Sequence, residues 1–239
     1  MKRLIASDYD GTLSIHDQVS PENREAIARW RAEGGLFGVV TGRGRTFPQR
    51  MADQGVECDY YLCYNGALLL DGKGRVLRDV RMSRDVYARL EAAFEKRTDA
   101  LNFGRIGEDP AESFSQYSAL MPTCESAAAF VEELNQRFGD EVTAFANGLN
   151  INIVQKGESK AEGVRHALRH FGLPESAAAV VGDDLNDLDM LLSLHGWAMS
   201  SGRPPVVAAT EHHCDSIAEL IAQLEEMNRA EQNTGRNDF

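Results

Sequence analysis

The stretch SDYDGTLS, residues 7–14, follows the apolar run Leu4-Ile5-Ala6 near the start of the chain. Residues 3–7 read as a buried strand, so two aspartates, Asp8 and Asp10, stand one residue apart at its carboxyl end. Period-two spacing can turn both side chains to one side of an extended segment. Two carboxylates held close repel, and the pair calls for a cation beside it. Gly11 allows a sharp turn and Thr12 can hydrogen-bond locally. A calcium loop of the pattern D-x-[DN]-x-[DN]-G is excluded by spacing, because the glycine comes too early and a strand precedes it.

Working outward, Ser20-Pro21 reads as an N-cap with proline in the first helical position. A helix from Pro21 to Glu33 then buries Ala26, Ile27 and Trp30, and Gly34-Gly35 ends it. Residues 36–40 (LFGVV) form a second buried strand ending at Thr41-Gly42-Arg43. A helix follows over about 46–54. Residues 60–70 hold two strands with Asn65-Gly66 between them. Strand–helix–strand order predicts an α/β fold, a Rossmann-like parallel sheet with helices on its faces. Ligands bind beyond the carboxyl ends of such strands, which places Asp8 and Thr41 on one cleft.

The rhythm changes near Met82. A helix is expected over 83–97 with Ser83 as its cap, strands over 100–107 and 113–121, and a helix from Thr123 to Phe138. Residues 141–154 form a hairpin turning at Asn147-Gly148. Residues 82–156 therefore read as a smaller inserted α+β unit, with 1–81 and 157–239 forming one discontinuous core. The first rhythm resumes at Ser159 and Glu162, a capping box opening a helix through Phe171. A third buried strand, 177–181, ends at GDDLND, and 197–199 form a further short strand. Ser216 and Glu219 open the last helix, and residues 232–239 read as a frayed terminus.

Bulk properties narrow the function. The chain has 239 residues, 43% hydrophobic and 26% charged, with a net charge of −12. That suits a globular protein and disfavours nucleic acid as a partner. It also repels phosphorylated ligands unless a metal ion or placed cations intervene. The four cysteines (Cys58, Cys63, Cys124, Cys214) form no C-x-x-C pair and are expected as buried thiols in a reducing compartment. Lys2-Arg3 precede too short an apolar run for a signal peptide, and no run reaches membrane-spanning length. A cytoplasmic protein with no membrane partner, a monomer or small homo-oligomer, is the expectation.

Four pieces carry chemistry. Beside Asp8 and Asp10, Thr41 and Gly42 can hold an anion's oxygens or simply make a turn. Arg43 can bind phosphate or be solvated. Lys160 opens a capped helix, where the dipole disfavours a cation, so either a nearby anion accounts for it or it is a surface lysine. Asp183, Asp184 and Asp187 crowd the end of a buried strand; Mg²⁺, which takes few carboxylates plus waters and phosphate, suits them best.

In that order, DYDGT, VVTGR, Lys160 and GDDLND, the sequence resembles the haloacid dehalogenase superfamily of phosphohydrolases. YNGA, residues 64–67, and the insertion resemble its Cof-type branch, in which an α/β cap covers the site. The resemblance implies a Mg²⁺-dependent phosphatase of a small phosphorylated metabolite, a sugar phosphate or a phosphoglycolate-like compound. Asp8 would be the nucleophile and Asp10 the acid and base. Asp8 and Asp183, with the Asp10 carbonyl, would ligate the metal. Thr41, Gly42, Lys160 and Asn186 would contact phosphate. Thr12, Asp184 and Asp187 would stand behind them. Arg43 and Asn65 would contact substrate, and Arg105 and Asn152 are further candidates in the cap. AMSSGRPP, residues 198–205, departs from the branch's usual Gly-Asn-Ala stretch, so Ser200 or Ser201 would have to replace that asparagine. Competing readings are a phosphomutase or phosphotransferase using the same aspartyl-phosphate, a receiver domain, which is about half this length, and a non-catalytic metal-binding scaffold.

Overall fold

In the computed structural model, which describes residues 1, 3–97, 99–106 and 113–234, two sheets divide the chain. The larger is built from β1 (Leu4–Asp8), β2 (Leu36–Val40), β3 (Tyr60–Cys63), β4 (Leu68–Asp71) and β5 (Val76–Asp79), continued by strands from the far end of the sequence. Between them lie α1 (Pro21–Ala32) and α2 (Phe47–Asp53). Then come β6 (Met82–Ser83), α3 (Arg84–Phe94), β7 (Asn102–Ile106), β8 (Ser113–Phe114), β9 (Gln116–Leu120), α4 (Cys124–Phe138), β10 (Val142–Asn147) and β11 (Asn150–Gln155). The chain returns through α5 (Lys160–His170), β12 (Ala178–Gly182), α6 (Leu188–Ser193), β13 (Trp197–Met199), α7 (Pro204–Ala209), β14 (His212–Cys214) and α8 (Ile217–Thr234).

The eight-stranded sheet runs β14-β13-β12-β1-β2-β3-β4-β5. Its strands from β14 to β3 are parallel and β4 and β5 are antiparallel additions. The parallel strands are apolar on both sides because helices cover both. Ile5, Phe37, Val39, Tyr61 and Val181 face one layer that includes Ala26, Ile27, Trp30, Leu220 and Leu224 of α1 and α8. Leu4, Ala6, Val40, Tyr60 and Val180 face the other, with Val164, Leu168, Met190 and Leu191 of α5 and α6. The alternation within each strand assigns each residue its layer.

The smaller sheet, β10-β11-β9-β7, is antiparallel. One of its faces packs on α3 and α4 in a separate apolar cluster holding Phe94, Tyr117, Phe130 and Ile153. Tyr117 stacks on Phe94 with ring centroids 5.1 Å apart, and Phe130 meets Phe94 edge-on at 4.9 Å. Where the two crossings between sheets meet, Arg78 grips the buried Glu158 through two hydrogen bonds of 2.6 and 2.7 Å.

The structure departs from the sequence reading in particular places. The β10–β11 turn is Gly148-Leu149, since Asn147 pairs with Asn150; Gly148 takes φ +56° there. The helix after Ser83 ends at Phe94. β5, β14, α6 and α7 are additional: β5 (VLRD) and β14 (HHC) are edge strands without polar alternation, and α7 starts on two prolines. Cys124 is exposed while Cys58, Cys63 and Cys214 are buried. α8 reaches Thr234; of the expected frayed end, 235–239 lie outside the described residues. No helix among the described residues is long and apolar enough to cross a membrane.

Candidate active site

The turn after β1 is built by its backbone. Leu13 N–H donates to the Asp8 carbonyl, Ser14 N–H to that of Tyr9, and Gly11 N–H to that of Ser14. Gly11 sits at φ +87°, and a Cβ on it would fall 2.3 Å from Asp183 Oδ2. Glycine is therefore required for the backbone, and it also leaves room for the Asp183 carboxylate just beyond β12. Thr12 Oγ1 donates to Asp183 Oδ1 at 2.7 Å, fixing that carboxylate.

Lys160 is buried and lies between two carboxylates. Its Nζ donates to Asp8 Oδ1 and to Asp187 Oδ1, each at 2.6 Å. These anions account for a cation in the first turn of α5. Asp187 Oδ2 in turn accepts the N–H groups of Asp183 and Asp184, both at 3.1 Å. Burial pushes the Asp8 carboxyl well up, and Asp187's charge pushes it further, against the pull of Lys160. Burial likewise lifts Asp183 to about 6. Burial pulls Lys160 down, but Asp187 and Asp8 outweigh it and hold the ammonium firmly charged.

The loop after β2 faces this group. Thr41 is buried, and its Oγ1 accepts the Arg43 N–H at 3.1 Å. Arg43 grips Asp10 with two bonds of 2.6 and 3.0 Å. Paired in this way, the Asp10 carboxylate is more than half exposed, unlike the buried Asp8, Lys160 and Asp187. Behind the loop stands a single 3-10 turn, Tyr64–Gly66, with positive φ at all three residues. Its Tyr64 and Asn65 N–H groups donate to the Arg43 and Thr41 carbonyls. A Cβ on Gly66 would fall 2.1 Å from the Ser159 carbonyl, so this turn also seats the start of α5.

Asp8, Asp10, Thr41, Gly42, Arg43, Lys160, Asp184 and Asn186 line one cleft of about 420 Å³. The small sheet closes it with Gln116, Ser118, Asn147, Asn150 and Asn152. A groove of about 620 Å³ lies at the opposite end of the large sheet, beside Trp30 and Gly34. Among the described residues the one cluster of metal-binding type is at the cleft, so chemistry outweighs volume.

Several expected residues take other places. Asn65 is fully buried and does not line the cleft; its Nδ2 donates to Gln116 Oε1 at 2.7 Å. The turn points it at the small sheet, so in this arrangement its side chain meets Gln116 and not the cleft. Asp184 caps Leu185 N–H at 2.6 Å and pairs with Arg203 at 2.7 Å. Ser200 and Ser201 are exposed and do not line the cleft; in their stretch Arg203 N–H meets the Asp183 carbonyl at 2.9 Å. Asn152 lines the cleft, whereas the side chain of Arg105 lies outside the described residues. Gln116, Ser118, Asn147 and Asn150 were not singled out from sequence. The alternation in QYSAL and NIN was the available signal, since Gln116 and Ser118, like Asn150 and Asn152, fall on one face.

A divalent metal fits the donor set. Ligand oxygens of Asp8, Asp183 and Asp187 lie within 4.8 Å of one another. Asp187 has both oxygens engaged, by Lys160 and by two amides. Asp8 and Asp183 each keep one oxygen outside any hydrogen bond among the described residues. Hard carboxylate oxygens of this kind suit Mg²⁺.

Residues 5–111 and 105–220 match the family model of the haloacid dehalogenase-like hydrolases, and the chain belongs to that family. Among its relatives, the phosphoglycolate phosphatase of Methanothrix thermoacetophila is 24% identical over 233 residues, covering 94% of this chain and 97% of that protein. The 5-amino-6-(5-phospho-D-ribitylamino)uracil phosphatase YcsE of Bacillus subtilis is 24% identical over 231 residues, 91% of each. The solved sugar phosphatase BT4131 superposes with a TM-score of 0.78 at 18% identity, covering 95% of this chain and 99% of that one. That likeness speaks to the fold.

Proposed function

We propose that the protein is a Mg²⁺-dependent phosphohydrolase that cleaves a phosphate monoester of a small metabolite through an aspartyl-phosphate. The observation that carries this reading is the state of Asp8. One of its oxygens is held by the buried Lys160, and the residue lines the cleft beside Thr41 and Asp10.

Asp8 attacks phosphorus, forming the acyl phosphate as the bond to the leaving oxygen breaks. Asp10 gives that oxygen its proton, then takes one from the water that attacks phosphorus in the second step. Phosphate departs and Asp8 is regenerated. Asp10 must leave Arg43 to act, so Arg43 holds it at the cleft mouth between turnovers. Lys160 and the Thr41–Gly42 loop hold phosphoryl oxygens as their charge redistributes. Asp8, Asp183 and the Asp10 carbonyl would hold Mg²⁺. When bound, the metal offsets the repulsion between nucleophile and phosphate.

Residues 82–156 act as the cap. The face that the small sheet turns to the cleft is neutral amides and a hydroxyl. Such groups pair with hydroxyls, and none of them offers a charge to a carboxylate. A sugar or polyol phosphate suits this surface better than a phosphorylated acid.

The test is phosphate release from p-nitrophenyl phosphate and a panel of sugar and acid phosphates, with Mg²⁺, with EDTA, and with Asp8→Asn. Mg²⁺-dependent release that the variant lacks, strongest on polyol phosphates, is the expected result. A folded, Mg²⁺-binding protein that releases none would overturn the reading, and transfer to a sugar hydroxyl in place of release would make it a mutase.

A further inference from the structure

We infer that Gln116 is a positioning residue that couples docking of the cap to the phosphate-binding loop, and that it acts through Asn65. This rests on the phosphatase reading and adds a residue to it.

Gln116 stands on β9, in the small sheet, yet its amide is almost wholly enclosed at the seam with the large one. Its Oε1 accepts Asn65 Nδ2 at 2.7 Å. Its Nε2 reaches the Gly42 carbonyl at 3.4 Å and Asn152 Oδ1 at 3.0 Å. One cap side chain therefore touches both the loop proposed to hold phosphate and the turn behind it.

The turn is the hub. Its backbone holds the Thr41 and Arg43 carbonyls, and Gly66 abuts Ser159, the residue before Lys160. Asn65 has φ +52° and ψ +36°, so its side chain is aimed at the cap by a left-handed backbone that asparagine tolerates. The Asn65 Oδ1 atom is buried with no hydrogen-bond partner among the described residues. Among the described residues the contact with Gln116 is thus the side chain's one hydrogen bond, and in a buried setting breaking it leaves a second group unpaired. When the cap departs, the loop and turn lose the support that holds them. When it docks, the phosphate site is completed.

Two measurements on the full chain test this. The first is hydrogen exchange without substrate, comparing wild type with Gln116→Ala. The second is a double-mutant cycle in kcat and KM with Gln116→Ala, Asn65→Gly and both. Glycine accepts the left-handed backbone, so Asn65→Gly attacks the pair from the core side even if the cap variant folds poorly.

Coupling predicts faster exchange at 41–43 and 64–66, and a drop of about 10- to 100-fold in kcat for each single variant. The double variant should fall no further than the worse single one. Unchanged exchange at those segments, or additive effects in the cycle, would overturn it, because a side chain that only fills the cap would lower stability without moving either. A wild type that releases no phosphate sinks the functional reading instead, and exchange alone then decides the coupling.

Discussion

Lys160 Nζ lies 2.6 Å from Asp187 Oδ1, and both side chains are almost completely buried. Asp187 is therefore the counter-charge that permits a lysine in the interior, and through its other oxygen it also ties down the amides of Asp183 and Asp184. Changing Asp187→Asn keeps the shape and removes the charge. The amide must then face either Lys160 or two backbone N–H groups with a donor. Breaking a buried pair of this kind costs about 3–5 kcal/mol. For a chain of this size that lowers Tm by roughly 6–20 °C. Calorimetry and urea unfolding check it; an unchanged midpoint would show that Asp8 alone suffices for Lys160.

A proton linkage follows from Asp183 and Asp8. Burial raises both carboxyls, Asp183 to about 6. Without metal, the folded state binds more protons than the unfolded chain in the interval above 3.8, so stability is present at low pH and lost as pH rises through about 6. Mg²⁺ at the proposed site would take the ionised carboxylates and reverse this. The rise in Tm on adding Mg²⁺ should be small at pH 5 and grow toward pH 8. A Mg²⁺ effect independent of pH would place the metal away from these two residues.

How much of this was legible in the sequence depended on the range of the signal. Asp8 and Thr41 each follow or end a short apolar strand, and strand ends in a parallel sheet converge on one cleft, so local pattern was enough to join them. Lys160 was ambiguous because its counter-ions, Asp8 and Asp187, are distant in sequence and adjacent only in the fold. Asn65 was read toward the substrate because a turn's local sequence does not show what packs over it. Gln116 carried only the alternation of its strand; its contact with the Gly42 carbonyl depends on how two sheets dock, which no single segment encodes. The β5 and β14 edges escaped notice for the same reason, since they are strands by virtue of their neighbours.

Gly66 tests the link between the 3-10 turn and α5. Its φ of +101° disfavours any side chain, and a Cβ would collide with the Ser159 carbonyl, a backbone atom that cannot rotate away. Left-handed backbone alone costs an L-residue about 1–2 kcal/mol, and the collision adds to it. Gly66→Ala should lower Tm and also kcat, because the displaced carbonyl precedes Lys160. Gly55→Ala, also at positive φ but with nothing within 4 Å, is the control for backbone strain alone. Equal losses of activity in the two variants would deny the turn any role in placing Lys160.

On the proposed mechanism, Asp10 divides the two chemical steps. In the resting arrangement its carboxylate is paired with Arg43 at a partly exposed position, so the pair adds little to stability. Asp10→Asn should leave Tm almost unchanged. Its effect on catalysis should depend on the leaving group. Nitrophenolate departs without a proton, so Asp8 is still phosphorylated by p-nitrophenyl phosphate. The second step lacks its base, and turnover slows by about 10²- to 10⁴-fold. Rapid mixing should then show a burst of about one nitrophenolate per enzyme, with phosphate retained on the protein. Alkyl phosphates, whose leaving oxygen needs the proton, should give no burst. Asp8→Asn should give none with either substrate. A burst that survives in Asp8→Asn would move the nucleophile to another residue, and equal slowing of both substrates without a burst would mean that Asp10 does not divide the reaction in this way.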